Sequence, residues 1–518
     1  MVFIRKNIKS SMQDITTTKH KLDIGLGIDQ VWIIAVLAAF GMIVALMPLI
    51  PNDFWWHLKL GEIISQTHTV PGTNMFAWTL DPNHPFVYGA WLAEYLLYLI
   101  YQLGKIPLVI FARFLFVLLA FALVGYEAKR RSDSWRVAGF VLMLACAMSS
   151  NNLEVRPQIF SWTPFVLTYI LLSAYVDKQI KARYLLFCPL IMVFWVNVHG
   201  SFILGLILFG IYFTGEAIRL LLKLSGALTF LELRWLAIVG VLQGLAVLIN
   251  PHFINIIHYV YNLMTDKPSQ KLVIEWQPPA PNTYATIAFF ASILILMAFL
   301  AYSRYRPTPT EIILIFSFLW LAWSGLRYVI WFGMVSMPIL ARVIRELLKG
   351  KTWLEPAPKN VLNLIFIAIL CIPVVAFQPW FIDRLPLPPG YSKLVLRENP
   401  VGPQLSVNTP VAAVEYLKAH PGGNLYNEMG YGSYLIWADP AQGVFVDPRV
   451  ELYPYQQWLD YIKINNGLHY NDLFNKYGVD RILLNKEIQP ELMSELEKDP
   501  TWRQEYTDLY AQIWVKNP

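Results

Sequence analysis

Side chains able to move a proton or hold an anion are few in this chain, and many fall in short stretches between long apolar runs. The first stretch opens Asp53-Phe54-Trp55-Trp56-His57 and continues through Lys59 and Glu62 to Glu94. The second is Asn151-Asn152-Leu153-Glu154-Val155-Arg156-Pro157, and the third is only Asn197-Val198-His199-Gly200-Ser201. Later ones carry His252, His258, Asp266, Glu275 and Arg327. A positioned carboxylate takes the proton of a hydroxyl nucleophile. Arginine clamps a phosphate bidentately, and carboxylates hold hard divalent ions through oxygen. If Asp53 opens a helix, His57 lies one turn along the same face.

The elements that must position these groups are membrane helices. Of 518 residues, 56% are hydrophobic and only 15% are charged, whereas soluble domains carry about 25% charged residues. That excludes an ordinary soluble enzyme, a disordered chain and a disulfide scaffold. Cys146, Cys188 and Cys371 each sit in an apolar run and form neither a disulfide framework nor a zinc pattern. Residues 1–379 have a net charge of +11, and residues 380–518 have −5. A basic membrane part precedes an acidic, soluble-looking one. The overall +6 points to no nucleic-acid partner, because the basic residues mark membrane edges.

Eleven stretches have the apolar character of spanning helices: 31–50, 106–126, 137–150, 157–176, 184–198, 201–218, 235–250, 285–303, 311–326, 328–341 and 361–379. With a cytoplasmic tail at 1–30, the inner segments hold 22 Lys and Arg and the outer loops hold six. That asymmetry obeys the positive-inside rule. The rule also decides residues 90–103: counting them as a span would place Lys129-Arg130-Arg131 outside, so they read as a helix on the outer surface. The outer loop is then 51–105, and every chemistry-bearing stretch named above falls on the outer side. Ionisable residues gathered at one depth of a membrane protein mark a site.

The odd span count puts the end of the chain outside. The transmembrane domain covers 31–379, a Pro-rich linker 380–409, and an α/β domain 410–518. Within it, strand-like runs at 424–426, 443–446, 481–484 and 511–515 alternate with helical ones near 411–420, 454–464 and 488–498.

This layout resembles the integral-membrane glycosyltransferases of the GT-C superfamily. The likeness rests on a first span, Asp53 just outside it, two surface helices, and a span with an early Arg113 and a basic inner end. Lipid-A aminosugar transferases, protein O-mannosyltransferases and oligosaccharyltransferases belong to that superfamily. The likeness covers mainly residues 31–200, in layout more than motif. It implies a polytopic helical fold, a bacterial inner membrane, and inverting transfer of a sugar from a polyprenyl-phosphate donor. The acceptor would be a lipid, glycan or protein on the extracytoplasmic side. The family's catalytic acid maps to Asp53, as general base or metal ligand. Many members have two adjacent acids there and this chain has Asn52-Asp53, so a divalent cation, Mg or Mn, stays an open expectation. His57, Glu94, Glu154, Arg156, His199 and Arg327 are expected to bind substrate, with Arg156 and Arg327 on the phosphate.

Each residue also has a plainer reading. Asp53 can cap the surface helix, His57 can be interfacial, and Glu94 can be the wet side of an amphipathic helix. Glu154 and Arg156 can form a local ion pair, His199 and Asn197 can satisfy a helix end, and Arg327 can mark a span boundary. Two other functions fit the composition: a transporter or flippase for a lipid-linked solute, and a non-catalytic membrane assembly protein. Against the first, ionisable residues are scarce at mid-membrane and no inverted repeat is visible.

Overall fold

The computed structural model describes residues 25–385 and 401–517. The tail basic residues Arg5, Lys6, Lys9, Lys19 and Lys21, and linker residues 386–400, lie outside the described residues. Among the described residues, fourteen α-helices make the membrane part and the layer upon it: α1 (Ile28–Leu46), α2 (Phe54–Thr67), α3 (Trp91–Ser132), α4 (Trp135–Met148), α5 (Ile159–Val176), α6 (Phe187–Val198), α7 (Ile203–Leu221), α8 (Phe230–Ala246), α9 (Asn255–Thr265), α10 (Lys267–Leu272), α11 (Tyr284–Tyr302), α12 (Pro309–Ser324), α13 (Val329–Leu347) and α14 (Leu362–Ala376).

Each of the eleven stretches read as a span is largely helical. Among the described residues, six helices are both long and apolar enough to cross a membrane: α1, α3, α5, α7 extended back to Gly200, α11, and α13 extended back to Leu326. Four more are apolar but shorter, at 135–148, 182–198, 309–324 and 362–376. The protein is thus a helical, multi-pass membrane protein with a small C-terminal sheet.

The surface helix expected at 90–103 is the first arm of α3. It ends where Gly104 (φ −155°, ψ 18°) and Lys105 (φ 53°, ψ −153°) leave helical geometry, just before Pro107. Lys105 in the left-handed region and a proline two residues on redirect the chain. The second arm then enters the bundle. There Arg113, almost wholly buried, donates from Nη2 to the carbonyls of Val44 (2.6 Å) and Met47 (2.5 Å). These lie in the last turn of α1 and just beyond it, where carbonyls lack helical partners. Arg113 thereby fixes the point at which the chain leaves α1 for Asp53.

At the opposite end of α3 the basic run is neutralised inside the bundle. Glu127 accepts from Arg130 Nε and Arg131 Nε, both at 2.7 Å. Asp177 pairs with Arg130 (2.9 Å) and Arg342 (2.6 Å), and Glu311 with Arg131 (3.1 Å) and Arg342 (3.2 Å). The ends of α3, α5, α12 and α13 are tied together by these ion pairs.

In the C-terminal part β1 (Leu425–Asn427), β2 (Arg481–Asn485), β3 (Trp502–Thr507) and β4 (Ala511–Lys516) form one sheet in the order β1-β2-β4-β3. β1 and β2 are parallel, with Tyr426 opposite Ile482, and the other pairings are antiparallel, with Ile482 opposite Trp514. The strand expected at 443–446 does not join it. Val444 instead makes a single parallel bridge to Ala77 of the outer loop, and the Asn427 side chain satisfies the Phe445 amide. Strand β3 and the helices Met429–Ala438 and Tyr470–Tyr477 were not expected. The first carries two glycines and the strand reads as polar, so neither shows strong periodicity. Trp56, Leu60, Phe76, Phe86 and Tyr88 of the outer loop share one hydrophobic core with the sheet and its helices. This packing joins the loop and the C-terminal part into one body.

Replacing Glu127 with alanine leaves two buried guanidiniums short of their shared acid. Breaking such a buried pair costs about 3–5 kcal/mol. Thermal unfolding of Glu127→Ala in nanodiscs is therefore expected to show a large loss of stability, and a near-native unfolding temperature would refute this role.

Candidate functional site

A cavity of about 1050 Å³ opens between the membrane helices, the outer loop and the C-terminal part. Asp53, His57, Glu94, Arg156, His199 and Arg327 all line it. Of the sequence-derived candidates, Glu154 is outside the lining and sits behind Arg156.

Asp53 begins α2 in helical geometry (φ −46°, ψ −38°), and its side chain makes no cap hydrogen bond. Its carboxylate instead meets Arg156, Nε to Oδ2 at 3.0 Å. Arg156 also donates to Glu154 (Nη2, 2.6 Å) and bidentately to Glu275 (Nη1, 2.7 and 2.8 Å). One guanidinium thus gathers carboxylates from three loops. Burial raises the pKa of Asp53, Arg156 lowers it, and Glu275 pushes up again; the outcome is a carboxyl above its ordinary value. Glu154 is raised likewise, first by burial.

Deeper in the outer loop, His57 Nδ1 lies 2.9 Å from Glu94 Oε1, and the imidazole stacks on Trp56 at 3.6 Å between ring centroids. Burial pushes Glu94 well above the usual carboxylate range and His57 well below the usual imidazole range. These directions favour the pair in its uncharged form. Glu94 Oε2 is buried with no hydrogen-bond partner among the described residues. The pair exists because α2 crosses the first arm of α3 at Gly61, where a Cβ would lie 2.1 Å from the Glu94 carbonyl oxygen.

His199 Nδ1 accepts from the Ser201 amide (3.0 Å) and lies 2.8 Å from its hydroxyl, capping the short turn into α7. Burial, helped by Arg327, brings its pKa down to about 3. Asn197 accepts from Trp91 Nε1 at 2.7 Å, tying α6 to the first arm of α3. Arg327 differs from Arg156. Its guanidinium stacks over Trp276 at 4.5 Å from the ring centroid and over Tyr328 at 5.9 Å. Among the described residues no carboxylate forms an ion pair with it.

Several lining residues are not among those expected to bind substrate. Glu275 holds Arg156, and Trp276 carries Arg327. Arg449, in Asp447-Pro448-Arg449, is 1% exposed. Asp447 locks it through Nε (2.8 Å) and Nη2 (2.6 Å), and it donates to the Tyr88 hydroxyl at 3.0 Å. Glu451 follows it into the cavity. Proximity in the fold, not spacing along the chain, brings these residues in.

The C-terminal part also fixes the start of the loop. Ser433 donates to the Asn52 carbonyl and accepts from the Trp56 amide (3.2 Å). Gly430 packs so closely that a Cβ would sit 2.3 Å from the Pro51 carbonyl oxygen. Asp53 lies between these contacts.

Among the described residues no three His, Cys, Asp or Glu side chains gather as a metal-holding group. Asp53, Glu154 and Glu275 are committed to Arg156, and His57 and Glu94 to each other. The donor set present does not fit a divalent cation.

No protein-family model matches this chain, and no curated protein does. The apo oligosaccharyltransferase of Archaeoglobus fulgidus superposes with a TM-score of 0.50 at 13% identity, over 94% of this chain and 74% of that one. The protein shares the fold of that oligosaccharyltransferase. Archaeoglobus fulgidus AglB with an inhibitory peptide and a dolichol-phosphate matches at TM-score 0.48 and 14% identity, over 88% of this chain and 69% of that one. ArnT from Cupriavidus metallidurans bound to undecaprenyl phosphate matches at 0.47 and 12%, over 93% and 97%.

Gly61→Ala tests how the outer loop is held. Overpacking of this kind costs about 1–3 kcal/mol. The variant is expected to unfold at lower temperature, and unchanged stability would mean α2 does not depend on this close crossing.

Proposed function

We propose that this protein is a glycosyltransferase of a bacterial inner membrane. It moves a sugar from a polyprenyl-phosphate donor to an acceptor on the extracytoplasmic side, with all eleven apolar helices crossing and the N-terminus inside. One observation carries the reading. The same cavity holds a carboxylate oriented by an ion pair, Asp53 with Arg156, and a guanidinium with no acid partner among the described residues, Arg327.

A glycosyl phosphate leaves as an anion and needs no proton, so positive charge must stand where negative charge grows. Arg327 supplies it: its charge is not spent on a carboxylate, and the Trp276 face holds the guanidinium in place. His199, neutral beside it, offers a ring N–H to the same group. Asp53 takes the proton of the acceptor hydroxyl as that oxygen attacks the anomeric carbon from the face opposite the phosphate, which inverts the centre. Its raised pKa makes it a better base than a solvated aspartate while Arg156 keeps it ionised. Arg156 and Glu154 act through Asp53 and Glu275 by holding the loops. His57 and Glu94 lie on the cavity wall as substrate-binding groups. No step runs through a metal.

The test is transfer of label from a pool of radiolabelled polyprenyl-phosphate sugars to membrane extract by purified protein in nanodiscs. Asp53→Asn is expected to lower turnover about 10²–10⁴-fold, and Arg327→Gln about 10²–10³-fold with protein stability retained. Transfer by both variants at the wild-type rate would sink these assignments, and no transfer by folded wild type would sink the reaction class.

The pH profile follows from the ionised form of Asp53 being the active one. kcat/KM is expected to rise with pH and to fall away below a pKa displaced upward from the ordinary 3.8. Arg156→Gln removes the charge that opposes that displacement, so its acid limb should lie at still higher pH. A limb unmoved by Arg156→Gln would mean that another group sets it.

A further inference from the structure

Besides Asp53, Glu94 and Glu275, the cavity has a carboxyl on the wall formed by the C-terminal part, and none of the chemistry above uses it. Glu451 sits on the one-turn helix Val450–Leu452. Val450 and Leu452 are buried in the C-terminal core, and Trp458 Nε1 donates to the Val450 carbonyl at 3.0 Å. Arg449, one residue further back, is pinned by Asp447 and by Tyr88 of the outer loop. The turn is therefore rigidly mounted, with Glu451 facing the cavity between its anchored neighbours. No basic side chain among the described residues forms an ion pair with it.

Its surroundings suit a hydroxyl-rich ligand. The Tyr259 hydroxyl of α9 stands beside it, with Asp266 at the end of that helix, Asp53 across the cavity and Arg449 on its own turn. Burial, with Asp266 and Asp53 adding to it against Arg449, holds the Glu451 carboxyl up to about 7. Near neutral pH such a group both donates to and accepts from hydroxyls. Trp458 and Tyr461 line the same wall, and aromatic faces pack well against the apolar face of a sugar ring.

Resting on the transferase reading, we propose that the wall carrying Glu451 is the acceptor subsite. It takes a sugar-like polyol, and Glu451 positions the hydroxyl that Asp53 deprotonates. The C-terminal part then completes the site by holding the acceptor opposite the donor's Arg327. Glu451 is a positioning residue in this scheme, since Asp53 receives the proton.

The experiment measures binding of two probes separately to purified protein in nanodiscs: methyl glycosides and a polyprenyl phosphate. Glu451→Met keeps side-chain bulk and removes hydrogen bonding. It is expected to weaken methyl glycoside binding about tenfold, in line with the loss of one strong hydrogen bond, and to leave polyprenyl phosphate affinity unchanged. Glu451→Gln, which still donates and accepts, should restore most of the glycoside affinity. Equal glycoside affinity in wild type and Glu451→Met would overturn the proposal. So would parallel loss of both probes, or no glycoside binding by wild type. Glycoside binding that depends on Glu451, with no polyprenyl phosphate binding by wild type, would support this subsite while removing the donor side of the transferase reading.

Discussion

The arrangement around the cavity depends on one guanidinium. Arg156 is bound at once by Asp53 at the start of α2, by Glu154 two residues before it, and by Glu275 ahead of α11. Without that cation three part-buried carboxylates would face one another, and each would raise the others' cost of ionisation. With it, three loops that share no hydrogen-bonded sheet are drawn to one point. The ion pairs are therefore chiefly positional. Their net stabilisation is small once desolvation is counted, whereas removing the shared partner is costly.

The same logic explains why the C-terminal part is not an independent appendage. A loop as long as 51–90 needs backbone partners, and the membrane helices beneath it have none to spare. It finds them in the Val444–Ala77 bridge, in Ser433 against Asn52 and Trp56, and in the close approach of Gly430 to Pro51. Trp56 and Tyr88 lie in the C-terminal core and touch the cavity. Asp53 is thus held from below by α1, whose end Arg113 secures, and from above by the helix Met429–Ala438.

How much of this was legible in the sequence follows from the range of the signals. Apolar runs and flanking charges are local, so the eleven helical segments and the surface arm before Gly104 could be read directly. Asp53, His57, Glu94, Arg156, His199 and Arg327 were legible as a group because a membrane restricts ionisable residues to its edges. Glu451 was not legible as a site residue, nor Glu275 as the partner of Arg156, since only the docking of distant segments brings them together at the cavity. Gly443–Val446 misled for a related reason. Its alternating apolar residues do face a core, but that core is shared with the outer loop rather than with the sheet. Sequence spacing also could not separate the two outer arginines, because Glu275 lies over a hundred residues from the Arg156 it neutralises.

That separation gives the two arginines different surroundings. Arg156 has its charge answered three times over, so an incoming phosphate gains little from it and must compete with bound carboxylates. Arg327 rests on an aromatic face, which holds a guanidinium while leaving its N–H groups available to an anion. Both are outer-edge arginines in the sequence, yet the fold surrounds one with three carboxylates and stacks the other on an aromatic face with no carboxylate partner among the described residues. Where a buried site must hold an anion, the cation that has not already been neutralised is the one that decides where it goes.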